Sequence, residues 1–169
     1  GVCRKAAQLG AKVVTLSGPD GYIYDPEGVC TQEKLDFLLE LRASGRDKVA
    51  PYAQRFGVEF FPGRKPWEIK TDIVIPCATQ NELNLEDAKT LKANGCFAVA
   101  EGANMPSTRE ATDLFVEKKI LFMPGKAANA GGVATSGLEQ SQNSLRLSWT
   151  FEEVDERLHK IMIDIFAKA

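Results

Sequence analysis

The sequence has a single histidine, and its four cysteines are widely scattered with no CxxC pair. A zinc site needs clustered cysteine and histidine ligands, so we predict no metal site. The formal net charge of −2 offers no basic surface for nucleic acid. No apolar run approaches the roughly 18 residues that span a bilayer, and scattered thiols are typical of a reducing compartment. We therefore expect a cytoplasmic protein that binds neither nucleic acid nor membrane.

Small residues are concentrated in the segment Pro124–Ser136, which directly follows the apolar run Ile120–Met123. A strand that leads into a glycine-rich turn and a helix can present backbone N–H groups to an anionic ligand. The same composition is typical of a tight turn whose small residues allow close helix packing. The segment by itself leaves both interpretations open.

Short apolar segments alternate with helical ones along the chain. Strands are predicted at five places: residues 11–16, 58–61, 72–77, 96–100 and 120–123. Helices are predicted between them, and a long helix is predicted over 129–147. This alternation is typical of an α/β fold with a parallel sheet covered by helices on both faces. Because the chain begins inside a predicted helix and ends in another, we expect residues 1–169 to be a single domain truncated at both ends.

Polar side chains follow four of the predicted strands, in the segments 17–20, 76–81, 101–106 and 124–136. In doubly wound sheets, ligands bind beyond the carboxyl ends of the strands. Amides and hydroxyls in these positions suit a neutral ring that bears a carboxamide, such as nicotinamide. Asp20 is a candidate for the acid that binds the hydroxyls of an adenosine ribose, but an aspartate before Gly21 is also typical of a turn.

These segments resemble the nucleotide-binding domain of the smaller, hexameric glutamate dehydrogenases. The resemblance rests on four blocks that occur in the right order: Leu16–Gly28, Asp72–Asn81, Ala100–Pro106 and Lys126–Ser136. It implies a Rossmann-like, doubly wound, mostly parallel sheet that lacks its first strand, with the substrate domain absent. It also implies oxidative deamination of L-glutamate to 2-oxoglutarate and ammonia, with hydride transfer to NAD or NADP. The full-length protein is expected to be a homohexamer.

The resemblance implies roles for individual residues. The cofactor-binding residues that it implies are Ser17, Asp20, Ala78, Thr79, Gln80 and Asn104. Ser136 matches the serine that binds the side-chain carboxylate of glutamate, and Val133 lines that pocket. The family's catalytic residues lie in the substrate domain, so the fragment alone is predicted to be inactive.

Three questions stay open at the level of sequence. Negative charge at Asp20 and Asp47 favours NAD over NADP, yet some family members with acids nearby use NADP. The substrate could be leucine, phenylalanine or valine instead of glutamate, although an apolar substrate gives no use for a hydroxyl at Ser136. A non-catalytic nucleotide-binding module is the third alternative.

Overall fold

A computed structural model describes residues 1–45 and 47–169 and divides the chain into two compact units, Gly1–Ile69 and Lys70–Ala169. Each unit contains one three-stranded sheet. The strands are antiparallel in the first unit and parallel in the second. The fold is therefore mixed α/β, but among the described residues the predicted parallel pairing is confined to the second unit. The assignment of residues 1–169 to one domain stays a prediction.

The first unit is built around an antiparallel hairpin. Its elements are α1 (Val2–Gln8), β1 (Thr15–Gly18), β2 (Gly21–Tyr24), α2 (Gln32–Ala43), α3 (Ala50–Phe56), β3 (Glu59–Pro62) and a 3₁₀ turn (Pro66–Glu68). Strand β2 is central and pairs with β1 and β3. The strand predicted over residues 11–16 is displaced toward the C-terminus, because the Gly18–Gly21 pair closes a hairpin around Pro19 and Asp20.

A buried ion pair lies in the core of the first unit. The Nζ of Lys34 lies 2.6 Å from a carboxylate oxygen of Asp25, and the Tyr52 hydroxyl donates to the same oxygen at 2.7 Å. Burial opposes ionisation of Asp25, but these hydrogen bonds and the charge of Lys34 outweigh it and lower the pKa of Asp25. Burial and the hydrogen bond to Asp25 raise the pKa of Tyr52.

The second unit is a parallel sheet with helical connections. Its elements are β4 (Ile73–Val74), α4 (Leu85–Ala93), β5 (Ala98–Ala100), α5 (Arg109–Glu117), β6 (Leu121–Met123), α6 (Gly125–Ala128), α7 (Gly131–Leu145) and α8 (Phe151–Lys168). Strand β5 is central. Val74 and Val99 are buried on one face of the sheet, whereas Ile73 and Leu121 on the other face are 49% and 68% exposed. The expectation that helices also cover this second face stays a prediction.

Local sequence signals place most helix starts correctly. Thr31, Thr108 and Thr150 accept backbone hydrogen bonds at the starts of α2, α5 and α8. The helix predicted over residues 129–147 is confirmed as α7 (Gly131–Leu145), whereas the short helix α6, which begins at Gly125, was not predicted. The N–H of Gly125 donates to the distant carboxylate of Glu101, a contact that no local pattern reveals.

Candidate functional site

The carboxyl ends of the three parallel strands lie at one edge of the second unit's sheet. We call the residues that follow them the β4 exit segment (76–83), the β5 exit segment (102–108) and the β6 exit segment (124–130). Backbone pairing continues past the first two strands, since the N–H groups of Gly102 and Ala103 both donate to the carbonyl of Pro76. The N–H of Leu83 then donates to Pro106 at 2.9 Å. The β4 and β5 exit segments therefore lie side by side.

The β6 exit segment joins the β5 exit segment through the carboxylate of Glu101. This side chain is 5% exposed and follows β5 directly. One carboxylate oxygen accepts from the Ser107 N–H at 3.3 Å, and the other accepts from the Gly125 N–H at 2.8 Å. Hydrogen bonds to a charged acceptor are stronger than neutral ones, so Glu101 links two exit segments at their backbones.

Gly125 allows the backbones of two exit segments to approach closely. A methyl group at Gly125 would lie 2.7 Å from the carbonyl oxygen of Ala103, closer than a side chain tolerates. A second contact between the same segments joins side chains, because the amide of Asn129 donates to the Asn104 side-chain oxygen at 2.8 Å. The predicted ribose-binding residue Asn104 is exposed and is held by this bond.

The predicted cofactor residues of the β4 exit segment lie on the surface. Ala78, Thr79 and Gln80 are all exposed in a turn just after β4. The Ala78 N–H donates to a carboxylate oxygen of Glu82 at 2.8 Å, so the turn is closed by its own side chain. The exposed amide and hydroxyl groups of this turn lie beside the β5 exit segment and can contact a polar ligand bound at this edge of the sheet.

The two predicted substrate-binding residues lie on α7. Val133 and Ser136 are three positions apart, so their side chains share one face of the helix. Both are exposed, and no residue of α7 is buried among those that the structure describes. Ser136 therefore presents a hydroxyl that can donate to a carboxylate, next to an apolar side chain.

The other two predicted cofactor residues belong to the first unit, which is described by itself. Ser17 is exposed within β1, opposite Tyr22, and does not lie beyond the end of a strand as predicted. Asp20 lies in the hairpin turn, where its carboxylate accepts from the N–H groups of Val49 and Ala50 at 3.0 Å each. The carboxylate thus satisfies two N–H groups at the start of α3, a structural role that sequence reasoning missed.

The structure offers no metal centre within residues 1–45 and 47–169, since no three His, Cys, Asp or Glu side chains are grouped suitably. None of the helices described is both long and apolar enough to cross a membrane.

Sequence reasoning also missed Glu101, which brings together exit segments far apart in the chain. The available signal was an acidic residue directly after a buried apolar strand, at the end where ligands bind. Such an acid is either a ligand-binding group or the partner of buried donors. The Ser107 and Gly125 bonds assign Glu101 the second role.

Comparison with known proteins agrees with this geometry. The sequence matches the Glutamate/Leucine/Phenylalanine/Valine dehydrogenase family over residues 1–169. It is 62% identical over 169 residues to the NAD-specific glutamate dehydrogenase of Bacteroides fragilis, covering 99% of this chain and 38% of that protein. It is 58% identical over 163 residues to the NADP-specific glutamate dehydrogenase of Haemophilus influenzae, covering 96% and 36%.

A solved structure of a glutamate dehydrogenase is similar in fold and sequence. It has a TM-score of 0.94 and 59% identity, over 98% of this chain and 37% of that one. The chain thus spans little more than a third of the length of the relatives it matches. A match along its whole length nevertheless identifies the family, so the chain belongs to the Glutamate/Leucine/Phenylalanine/Valine dehydrogenase family.

Proposed function

We propose that this chain is the cofactor-binding part of a glutamate dehydrogenase that converts L-glutamate to 2-oxoglutarate and ammonia. The observation that carries the proposal is the meeting of three strand ends at one edge of a parallel sheet, with α7 and Ser136 following the third. In open α/β sheets this edge is where ligands bind. When bound, NAD or NADP accepts the hydride, and the residues of this chain hold the cofactor and one end of the substrate.

The finer description of the fold is part of the proposal. A Rossmann-like sheet lacking its first strand is supported by β4, which is an edge strand in its own sheet and carries the exposed Ile73. The full-length enzyme is a cytoplasmic homohexamer in this proposal. Size-exclusion chromatography with light scattering on the full-length protein tests the oligomer, and a monomer contradicts it.

The choice of substrate depends on Ser136. A hydroxyl at this position can donate to the side-chain carboxylate of glutamate, whereas leucine, phenylalanine and valine have no such group. In the full-length enzyme, we expect Ser136→Ala to raise KM for glutamate at least about tenfold, the loss of one hydrogen bond to a charged group. Ser141→Ala, an exposed serine further along α7, is the matched control. Faster turnover of an apolar amino acid than of glutamate by the parent enzyme contradicts the proposal.

The choice of cofactor depends on the charge at Asp20 in this proposal. Identity does not separate the two cofactors, since an NAD-specific relative is 59% identical and an NADP-specific one is 58% identical. We favour NAD, because a carboxylate repels a 2′-phosphate. Asp20→Asn removes the charge but offers an NH₂ group to one of the Val49 and Ala50 N–H donors, so we expect improved use of NADP together with a loss of about 1–3 kcal/mol in the free energy of unfolding. A parent enzyme that strongly prefers NADP contradicts this interpretation.

The remaining part of the reaction requires residues outside this chain. We expect the fragment Gly1–Ala169 alone to show no glutamate-dependent formation of NADH, whereas the full-length protein should be active. Activity of the fragment contradicts this division of roles. The alternative of a non-catalytic nucleotide-binding module requires that the full-length protein bind NAD or NADP and yet turn over none of the four amino acids of the family.

A further inference from the structure

The carboxylate of Glu101 has the features of a group that fixes the distance between two binding segments. We infer that Glu101 is a positioning residue, which holds the β5 and β6 exit segments together so that Asn104 and Ser136 face their ligands correctly. This inference rests on the proposed function of those two residues. Glu101 itself is buried, and both of its carboxylate oxygens accept from backbone N–H groups.

Two exit segments together satisfy the buried carboxylate of Glu101. A buried carboxylate is costly unless it is paired, and here each oxygen accepts from a backbone N–H of a different exit segment. Ser107 lies in the β5 exit segment and Gly125 at the start of α6. Displacing either segment leaves part of the carboxylate without a partner, so the free energy opposes their separation.

The carboxylate also holds the two exit segments in close contact near Gly125. The absence of a side chain at Gly125 lets that backbone approach the carbonyl of Ala103, and the Asn129–Asn104 bond lies one helical turn further on. Ala103 is adjacent to Asn104, and α6 leads into α7, which carries Ser136. Movement of Gly125 therefore changes the placement of both the predicted ribose contact and the predicted carboxylate contact.

The experiment compares Glu101→Gln, Glu101→Asp and parent forms of the full-length enzyme. Glutamine offers an NH₂ group to one of the two N–H donors, and aspartate keeps the charge but is too short to meet both. We expect kcat/KM to fall about 10- to 100-fold in both variants, because a misplacement of about 1 Å has an effect of this size. KM for glutamate and for the cofactor should both rise. Glu117→Gln, the same change on the exposed surface of α5, should alter neither of these KM values.

The KM values separate positioning from a purely structural role. If Glu101 only stabilises the fold, the variants lower kcat through a smaller folded fraction and leave both KM values unchanged, and the inference is overturned. If Glu101→Gln does not fold, Glu101→Asp carries the test, because it retains the buried charge.

Hydrogen exchange of the same enzyme tests the inference even if the proposed reaction is wrong. The N–H groups of Ser107 and Gly125 should exchange at least about tenfold faster in the Glu101 variants, since each loses its acceptor. The N–H of Leu121, which donates to Phe97 within the sheet, is the internal reference. Unchanged exchange at Ser107 and Gly125 overturns the inference, whereas a parent enzyme that reduces neither cofactor overturns only the proposed function.

Discussion

Each of the two units contains a buried carboxylate, and the two differ in what surrounds them. Asp25 in the first unit is 1% exposed, and its principal partners are the side chains of Lys34 and Tyr52. Glu101 in the second unit is 5% exposed and accepts from the backbone N–H groups of Ser107 and Gly125. Asp25 thus ties two helices to a turn, whereas Glu101 ties the β5 and β6 exit segments to each other.

The difference separates two uses of buried charge. A carboxylate paired with a lysine depends on that partner for its ionisation, and removal of the carboxylate therefore destabilises the fold. A carboxylate paired with loop backbones stabilises the fold less but determines where the loops lie.

The largest expected effect is the loss of charge at Asp25. Asp25→Asn leaves the mostly buried Lys34 ammonium without its counter-charge, and we expect a loss of about 3–5 kcal/mol in the free energy of unfolding. Urea denaturation monitored by circular dichroism measures it, with the exposed Asp36→Asn as control. Glu101→Gln should be less costly, about 1–3 kcal/mol. A larger loss for Glu101→Gln than for Asp25→Asn contradicts the comparison.

The next effect concerns the contact that surrounds Glu101. Gly125→Ala places a methyl group 2.7 Å from the Ala103 oxygen, and we expect about 1–3 kcal/mol of destabilisation from overpacking. Gly137→Ala on α7 has open space and should instead stabilise the helix by about 0.4–1 kcal/mol. Thermal unfolding of both variants should show a lower melting temperature than the parent for Gly125→Ala and a higher one for Gly137→Ala. A Gly125→Ala variant that is as stable as the parent would show that the close approach at Gly125 is not required.

A third prediction concerns pH and the first unit. The lowered pKa of Asp25 means that its stabilisation is fully present above the unfolded value of about 3.9 and is lost as pH falls through the lower, folded pKa. The free energy of unfolding, measured with urea from pH 6 down to pH 3, should therefore fall less steeply in Asp25→Asn than in the parent. Identical slopes in the parent and the variant would assign acid sensitivity to other carboxyls.

The smallest expected effect is at Ser107. Its hydroxyl is buried and has no hydrogen-bond partner among the residues that the structure describes, while its bond to Glu101 comes from the backbone N–H. Ser107→Ala keeps that N–H, so we expect unfolding free energy unchanged within about 0.5 kcal/mol, or slightly increased. A loss of more than about 1 kcal/mol indicates that the hydroxyl makes a contact in solution that contributes to stability.

Local chemistry explains which features could be predicted from the sequence. Thr31, Thr108 and Thr150 cap helices through bonds to residues three positions away, so the sequence locates these starts. The meeting of the exit segments followed from parallel pairing of buried strands.

Distant contacts explain what could not be predicted. The start of α6 and the placement of Glu101 depend on a bond between residues 24 positions apart. Asp20 likewise accepts from Val49 and Ala50, about thirty positions away, so its turn signal was visible but its partner was not.

The exposure of α7 within this chain has a consequence for mutagenesis of the proposed substrate contacts at Val133 and Ser136. Val133 is 79% exposed, and no described residue of this helix is buried, so substitutions on its surface change stability little. The anchoring contacts lie before α7, at Glu101 and Gly125. A side chain at position 133 or 136 can therefore be exchanged without a compensating change in the core. Under the proposed function, substitutions at these two positions of α7 alter substrate preference while the anchoring contacts stay intact.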